Sequence, residues 1–141
     1  MMAYMNQAKR DDWTTPTELF EDLDAVFGPF DLDAAATDEN ALCENYYTQE
    51  TDGLAQEWFG QVFVNPPYGR VISKWVDKAI QEWDEKRPTG VVMLLPSRTG
   101  TRWFHRLNDH PDVEIVFLRG RLKFGGSSTS APFDSMVVVF E

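Results

Sequence analysis

The sequence predicts a three-layer α/β domain, with helices on both faces of a mostly parallel sheet. Three observations predict it. Wholly apolar runs of strand length, residues 62–64 and 91–95, each stop within two residues at proline, as strands buried on both faces do. Around them, apolar residues recur at three- and four-residue steps, the period of amphipathic helices. Helices and strands also alternate along the chain, the order that builds α/β sheets.

Residues 1–12 carry no periodicity and are expected to form a mobile arm. In Trp13-Thr14-Thr15-Pro16, Thr15 suits a helix N-cap, with Pro16 at the first helical position and Glu18 at the third. Leu19, Phe20, Leu23, Val26 and Phe27 predict a helix over 16–27, ended by Gly28-Pro29. Phe30 and Leu32 alternate with Asp31 and Asp33 as in a strand, which runs into Ala34-Ala35-Ala36. Residues 37–57 read as mostly irregular, with one short helix after Asp38. After strand 62–64, Val71, Ile72, Trp75, Val76, Ala79, Ile80 and Trp83 predict a helix over 71–86. Strand 91–95, a short helix over 101–108 and a strand over 113–118 follow. Residues 122–124 suit a short strand or turn entry, 125–130 a flexible loop, and 135–140 a terminal strand. The last strands are expected to form an antiparallel hairpin.

At 141 residues the chain is one domain with a real core, spanning 13–141, and has no room for a second full domain. The lone Cys43 excludes an internal disulfide and a cysteine zinc cluster, and reads as a small buried apolar residue. No apolar run approaches the ~20 residues that span a bilayer, and residues 1–7 lack the order of a signal peptide, so a cytoplasmic protein without membrane attachment is expected. The net charge of −10 counts against a nucleic-acid partner. Its distribution softens that: residues 1–60 carry fourteen acids against Lys9 and Arg10, whereas residues 61–141 carry nine against eleven basic residues. A local positive face is compatible with this division.

The most informative stretch is Asn65-Pro66-Pro67-Tyr68-Gly69, directly after strand 62–64. Two prolines fix φ and remove N–H donors, so the turn is stiff and rich in acceptors. The Asn65 side-chain oxygen and the Pro66 carbonyl can each take one N–H of an exocyclic amine, with a planar ring lying on Tyr68. An aromatic amine is a poor nucleophile because its lone pair is delocalised. Accepting both N–H groups favours a pyramidal nitrogen whose lone pair is free to attack, and positioning supplies much of the rate.

In open α/β sheets ligands bind at the carboxyl ends of strands, which brings Asp33, Asn65 and Pro96 around one pocket. Asp33 is a candidate for a cationic amine or a ribose hydroxyl, or else it solvates a strand edge. Trp13 is either core or a pocket wall, and Asp52-Gly53 either a cap beside the crevice or a surface turn. Other chemistries lose ground. There is no Ser-His-Asp order, His105 and His110 lack metal-ligand spacing, and neither a glycine-rich phosphate loop nor Gly-x-Gly-x-x-Gly is present. No metal is expected.

Read together, Trp13-Thr14-Thr15-Pro16, Phe30 to Ala36 through Asn40 and Cys43, Asp52-Gly53-Leu54, Asn65-Pro66-Pro67-Tyr68-Gly69, Leu94-Leu95-Pro96 and Gly120-Arg121-Leu122-Lys123-Phe124 resemble the phage-type DNA N-6-adenine methyltransferases, the Dam-like family. The resemblance runs from about residue 11 nearly to the end. It implies a Rossmann-like methyltransferase fold, S-adenosylmethionine as donor and adenine in DNA as acceptor. It implies catalytic roles for Asn65, Pro66, Pro67 and Tyr68, which match (Asp/Asn)-Pro-Pro-Tyr, and donor contacts for Trp13, Thr15, Pro16, Asp33, Ala35, Asp52 and Asn65. Arg70, Arg98, Arg102, Arg106, Arg119, Arg121 and Lys123 are the candidate phosphate contacts, or else a solvated helix face and strand edge. The chain departs from the common pattern in carrying Asp33-Ala34-Ala35-Ala36 where many methyltransferases have a glycine-rich loop. Its length leaves no space for a separate target-recognition domain. Other readings of the same turn are a protein-glutamine or RNA-guanine methyltransferase and a catalytically inactive nucleic-acid-binding relative. The target sequence and oligomeric state stay open.

Overall fold

The computed structural model describes residues 13–141; the expected N-terminal arm, residues 1–12, lies outside the described residues. Six strands form one sheet: β1 (Leu32–Asp33), β2 (Asn45–Tyr46), β3 (Gly60–Val64), β4 (Pro88–Pro96), β5 (Val113–Phe117) and β6 (Ser135–Phe140). Their order is β2-β1-β3-β4-β6-β5, with β6 antiparallel to both neighbours and the other pairs parallel. The helices are α1 (Thr17–Phe27), α2 (Ile72–Asp84) and α3 (Arg102–Asn108).

Register assigns the layers. Val62 pairs with Val91, Val91 with Phe140, and Met136 with Phe117, and residues paired across strands share a face. Trp83 of α2 packs on Phe140 and Phe104 of α3 on Phe117, so both helices cover that face. Phe63 points the other way, where Phe20 of α1 meets it edge-on at 5.2 Å beside Phe30. The result is the expected three-layer α/β arrangement, with α1 on one face of the sheet and α2 and α3 on the other. No helix among the described residues is long and apolar enough to cross a membrane.

Several elements differ from their sequence expectation. Helix α1 starts at Thr17 with Pro16 as its N-cap and no side-chain cap, because the Thr15 hydroxyl is bonded elsewhere. The strand expected from Phe30 is two residues long, since Phe30 turns into the aromatic cluster with Phe20 and Phe63. After Asp38 there is a turn rather than a helix, and the polar pair Asn45–Tyr46 adds a short strand beside Leu32–Asp33. Residues 122–124 form no strand, because Phe124 is drawn into an aromatic cluster.

Glu82 was not legible as important, yet it is fully buried on α2. It accepts from the Trp58 backbone N–H at 2.6 Å and pairs with Lys78 and Arg87. Burial alone would raise its carboxyl, but the Trp58 N–H, Arg87 and Lys78 outweigh that and hold it below the usual carboxylate range. The cluster ties α2 to the segment that leads into β3. Its place on the face of Trp75 and Ala79, seven and three residues back, was the available signal.

Candidate active site

The chain passes from β1 outward to β2, then crosses back to β3 on the other side of β1. That reversal opens a crevice at the carboxyl ends of β1 and β3, where open α/β sheets bind ligands. Asp33 pairs with Phe63, and the Ala34 N–H donates to the Phe63 carbonyl at 3.0 Å. Asp33 and Asn65 therefore leave adjacent strands side by side. A narrow cleft open to solvent lies there, lined by Trp13, Thr14, Thr15, Asp33, Ala35, Asn40, Leu42 and Asn65. Of the expected donor contacts, Trp13, Thr15, Asp33, Ala35 and Asn65 are brought together. Thr14, Asn40 and Leu42 join them; Leu42 carried no signal in the sequence.

Three residues fall outside this lining. Pro16 caps α1. Asp52 is exposed at a positive φ of 60°, and its carboxylate accepts from the Leu54 N–H at 3.1 Å, so it closes its own turn. Gly53 explains why that turn lies at the crevice edge, since a Cβ there would meet the Ala34 carbonyl at 2.2 Å. Pro96 is buried at the end of β4, paired with Ser135 of β6, and does not line the cleft; the Tyr68 hydroxyl donates to the Leu94 carbonyl beside it at 3.1 Å.

Asn65 is 9% exposed, and its environment is asymmetric. Its Nδ2 donates to the Trp13 carbonyl and to the Thr15 hydroxyl, the latter at 2.9 Å. Its Oδ1 is buried without a hydrogen-bond partner among the described residues. An unpartnered buried acceptor costs about 1–3 kcal/mol, which a bound N–H donor would recover. The Pro66 carbonyl likewise accepts no hydrogen bond among the described residues. Gly69, at φ 98°, makes the turn out of this stretch and lets α2 start three residues later.

Asp33 is 3% exposed and does not solvate a strand edge. Its carboxylate accepts from the Leu42 and Ala35 N–H groups at 3.1 and 3.4 Å. Burial pushes it up to about 6, more than those two donors pull it down. Asp31, by contrast, accepts from the Gln61 N–H at 2.8 Å and anchors the start of β3. The cleft thus presents a costly buried carboxylate and an orphan acceptor, a donor-seeking set that suits a ligand with a cationic amine.

Tyr68 corrects the expectation of an open stacking face. It is 2% exposed, and Phe124 and Phe133 meet its ring edge-on at 6.2 and 5.6 Å. The same two phenylalanines hold Trp13 at 5.3 and 5.2 Å, so Trp13 is both core and cleft wall. The Gly125 N–H fastens this cover to the Thr14 carbonyl at 2.9 Å. Under these two rings Tyr68 presents no open face to a planar ligand.

The candidate phosphate contacts divide in two. Arg70 follows the β3 turn, Arg98 and Arg102 follow β4, and Arg119 and Lys123 follow β5; all five are exposed, none lines the cleft, and they form no ion pair among the described residues. Arg106 instead bridges to Asp77 at 2.9 Å, and Arg121 faces Asp134 at 3.8 Å. Both pairs are exposed and contribute little to stability. His110 donates no site chemistry: it contacts Asp84 at 2.8 Å and accepts from the Asp112 N–H. Among the described residues no group of His, Cys, Asp and Glu is arranged to hold a metal ion.

A family model described as DNA N-6-adenine-methyltransferase (Dam) matches residues 3–139. A protein of Escherichia phage T1 named DNA N-6-adenine-methyltransferase is 39% identical over 118 residues, which cover 82% of this chain and 48% of that protein. A protein of the same name from Haemophilus phage HP1 (strain HP1c1) is 31% identical over 150 residues, covering all of this chain and 86% of its own length. The chain therefore spans about half the length of the first relative and most of the second. With the crevice, the Asn65 turn and nearly the whole sequence in agreement, the chain belongs to the DNA N-6-adenine-methyltransferase (Dam) family.

Proposed function

We propose that the protein transfers a methyl group from S-adenosylmethionine to the exocyclic amine of adenine in DNA. The observation that carries this reading is Asn65, anchored through its nitrogen and left with a buried, unpartnered oxygen at the strand-end crevice. The names of the phage relatives support the same substrate. When bound, S-adenosylmethionine supplies a methyl carbon activated by its sulfonium. Asp33, Ala35 and Trp13 would hold it, since they line one cleft with a buried carboxyl among them.

Asn65 Oδ1 and the Pro66 carbonyl would accept the two N–H groups of the acceptor amine, leaving its lone pair to attack without a strong general base. The base must leave the duplex stack, at a cost of a few kcal/mol. Contact with Tyr68 then requires Phe124 and Phe133 to withdraw. Arg70, Arg98, Arg102, Arg119 and Lys123, exposed and without an ion pair among the described residues, would then meet phosphate.

Transfer of labelled methyl to duplexes with and without dA tests the reading. Label restricted to dA-containing duplex is expected. Label that goes instead to a glutamine-containing protein or to guanine in RNA would replace the acceptor, and absence of donor binding would replace catalysis with a binding role.

Asp33 gives the donor site a pH dependence. Its unfolded carboxyl titrates at 3.8 and its folded one at about 6, so folding stability falls as pH rises through that window, by about 3 kcal/mol in full. A bound cation recovers that loss. Below about pH 6 the cation must displace a proton, so donor affinity is expected to fall by up to about tenfold per pH unit as pH drops toward 4, and to level off above 6. Calorimetry across pH 5–7.5 measures this. A flat profile would take Asp33 out of donor binding, and Asp33→Asn should bind weakly at every pH.

A further inference from the structure

We infer that Thr15 is a positioning residue, whose hydroxyl, together with the Trp13 carbonyl, holds the Asn65 amide in the one orientation that offers an oxygen to the acceptor amine. The inference rests on the assignment of Asn65 as the group that receives that amine.

Thr15 stands where a helix cap belongs, before Pro16 and three residues ahead of Glu18. Capping would turn its hydroxyl toward the first N–H groups of α1. The helix instead has no side-chain cap, and the hydroxyl lies 2.9 Å from Asn65 Nδ2. Both side chains are buried, at 8% and 9% exposure, and they are fifty residues apart in sequence. The cap position has been spent on the active-site turn.

The chemistry of the two partners makes the orientation unambiguous. A backbone carbonyl only accepts, so the amide nitrogen must face Trp13. A flipped amide would set two oxygens against each other there. The second N–H of Nδ2 then goes to Thr15, and both donors of Asn65 are consumed inside the protein. What remains is Oδ1, buried and without a partner among the described residues. Held this way, Asn65 recognises N–H groups and has nothing to give a ring nitrogen or a carbonyl. The clamp therefore selects an amine over other edges of a base.

It also distinguishes this chain within the (Asp/Asn)-Pro-Pro-Tyr pattern. An aspartate at position 65 would set a carboxylate oxygen against the Trp13 carbonyl and leave Thr15 as its one donor. Asparagine is required here by its partners as well as by the acceptor.

Thr15→Val keeps the shape and removes the acceptor; Thr15→Ser keeps the hydroxyl. With one tether gone, the amide rotates, and the valine variant is expected to lose about 10- to 100-fold in kcat, the usual scale for a misplaced reacting group. Donor Kd and DNA KM should stay within about threefold, and serine should restore kcat to within about threefold of the parent. Full kcat in the valine variant overturns the inference. So does a rise in donor Kd that accounts for the whole loss, which would make Thr15 a simple pocket contact, or failure of serine to rescue. A second readout does not depend on the reaction: the Asn65 side-chain amide protons, observed by NMR in the 15N-labelled protein. Both should be shifted and slow to exchange in the parent, and one should lose its shift and protection in the valine variant. If the parent transfers no methyl to DNA, the proposed function fails by itself, while an Asn65 amide unchanged by Thr15→Val overturns the clamp alone.

Discussion

Replacing Asn65 by alanine is expected to reduce methyl transfer by at least about 10²- to 10³-fold, the scale on which removal of one preorganised hydrogen-bonding group from an active site is felt. Donor affinity should stay within about tenfold, because Asp33, Ala35 and Thr14 still line the cleft. The fold should tolerate the change. The truncated side chain leaves the Trp13 carbonyl and Thr15 hydroxyl without their donor, but it also removes a buried oxygen that has no partner among the described residues. Thermal melting near that of the parent, together with lost turnover, would assign the loss to catalysis. Equal turnover in the variant would remove Asn65 from the reaction.

Fastening the aromatic cover in place should be nearly as damaging. The Gly125 N–H already donates to the Thr14 carbonyl at 2.9 Å, and a Cβ on Gly125 would stand 3.4 Å from that of Thr14, close to the ~3.8 Å that a disulfide spans. Thr14→Cys with Gly125→Cys should therefore oxidise readily. The native Cys43 stays out of exchange, because burial, with Asp33, Asp24 and Asp31 nearby, pushes its thiol up to about 12. With the loop held shut, Phe124 and Phe133 remain on the Tyr68 ring and an acceptor base has no surface to stack on. Transfer is expected to be at least about 100-fold slower in the oxidised than in the reduced protein, as for an enzyme whose lid cannot open. The comparison lies within one variant, so any effect of Thr14 on the donor cleft cancels. Identical rates in the two states would show that the acceptor reaches the turn by another path.

The sequence was most legible where burial and local preference agree. Periodicity over 71–86 corresponds to α2 at Ile72–Asp84, and the apolar run at 91–95 lies inside the longer β4 at Pro88–Pro96. Strand β4 is longer because Pro88 stands at its first position, which proline tolerates. Strand β2 was not legible: two polar residues carry no alternation, and their pairing with Leu32 and Asp33 is what makes them a strand. The aromatic at 68 was legible as a ring beside two acceptors, but whether it met solvent or other rings depended on Phe124 and Phe133, more than fifty residues away.

By itself the sequence determined an α/β chain with a stiff acceptor turn after a buried strand, because prolines, apolar runs and helical spacing act over a few residues. Only the tertiary structure decided what each candidate side chain does. It moved Thr15 from a helix cap to Asn65, closed Asp52 into its own turn, paired Arg106 with Asp77 and put Tyr68 under cover. Hydrogen-bonding groups take the partners that folding brings within about 3 Å, and spacing along the chain does not reveal which of several partners will arrive first.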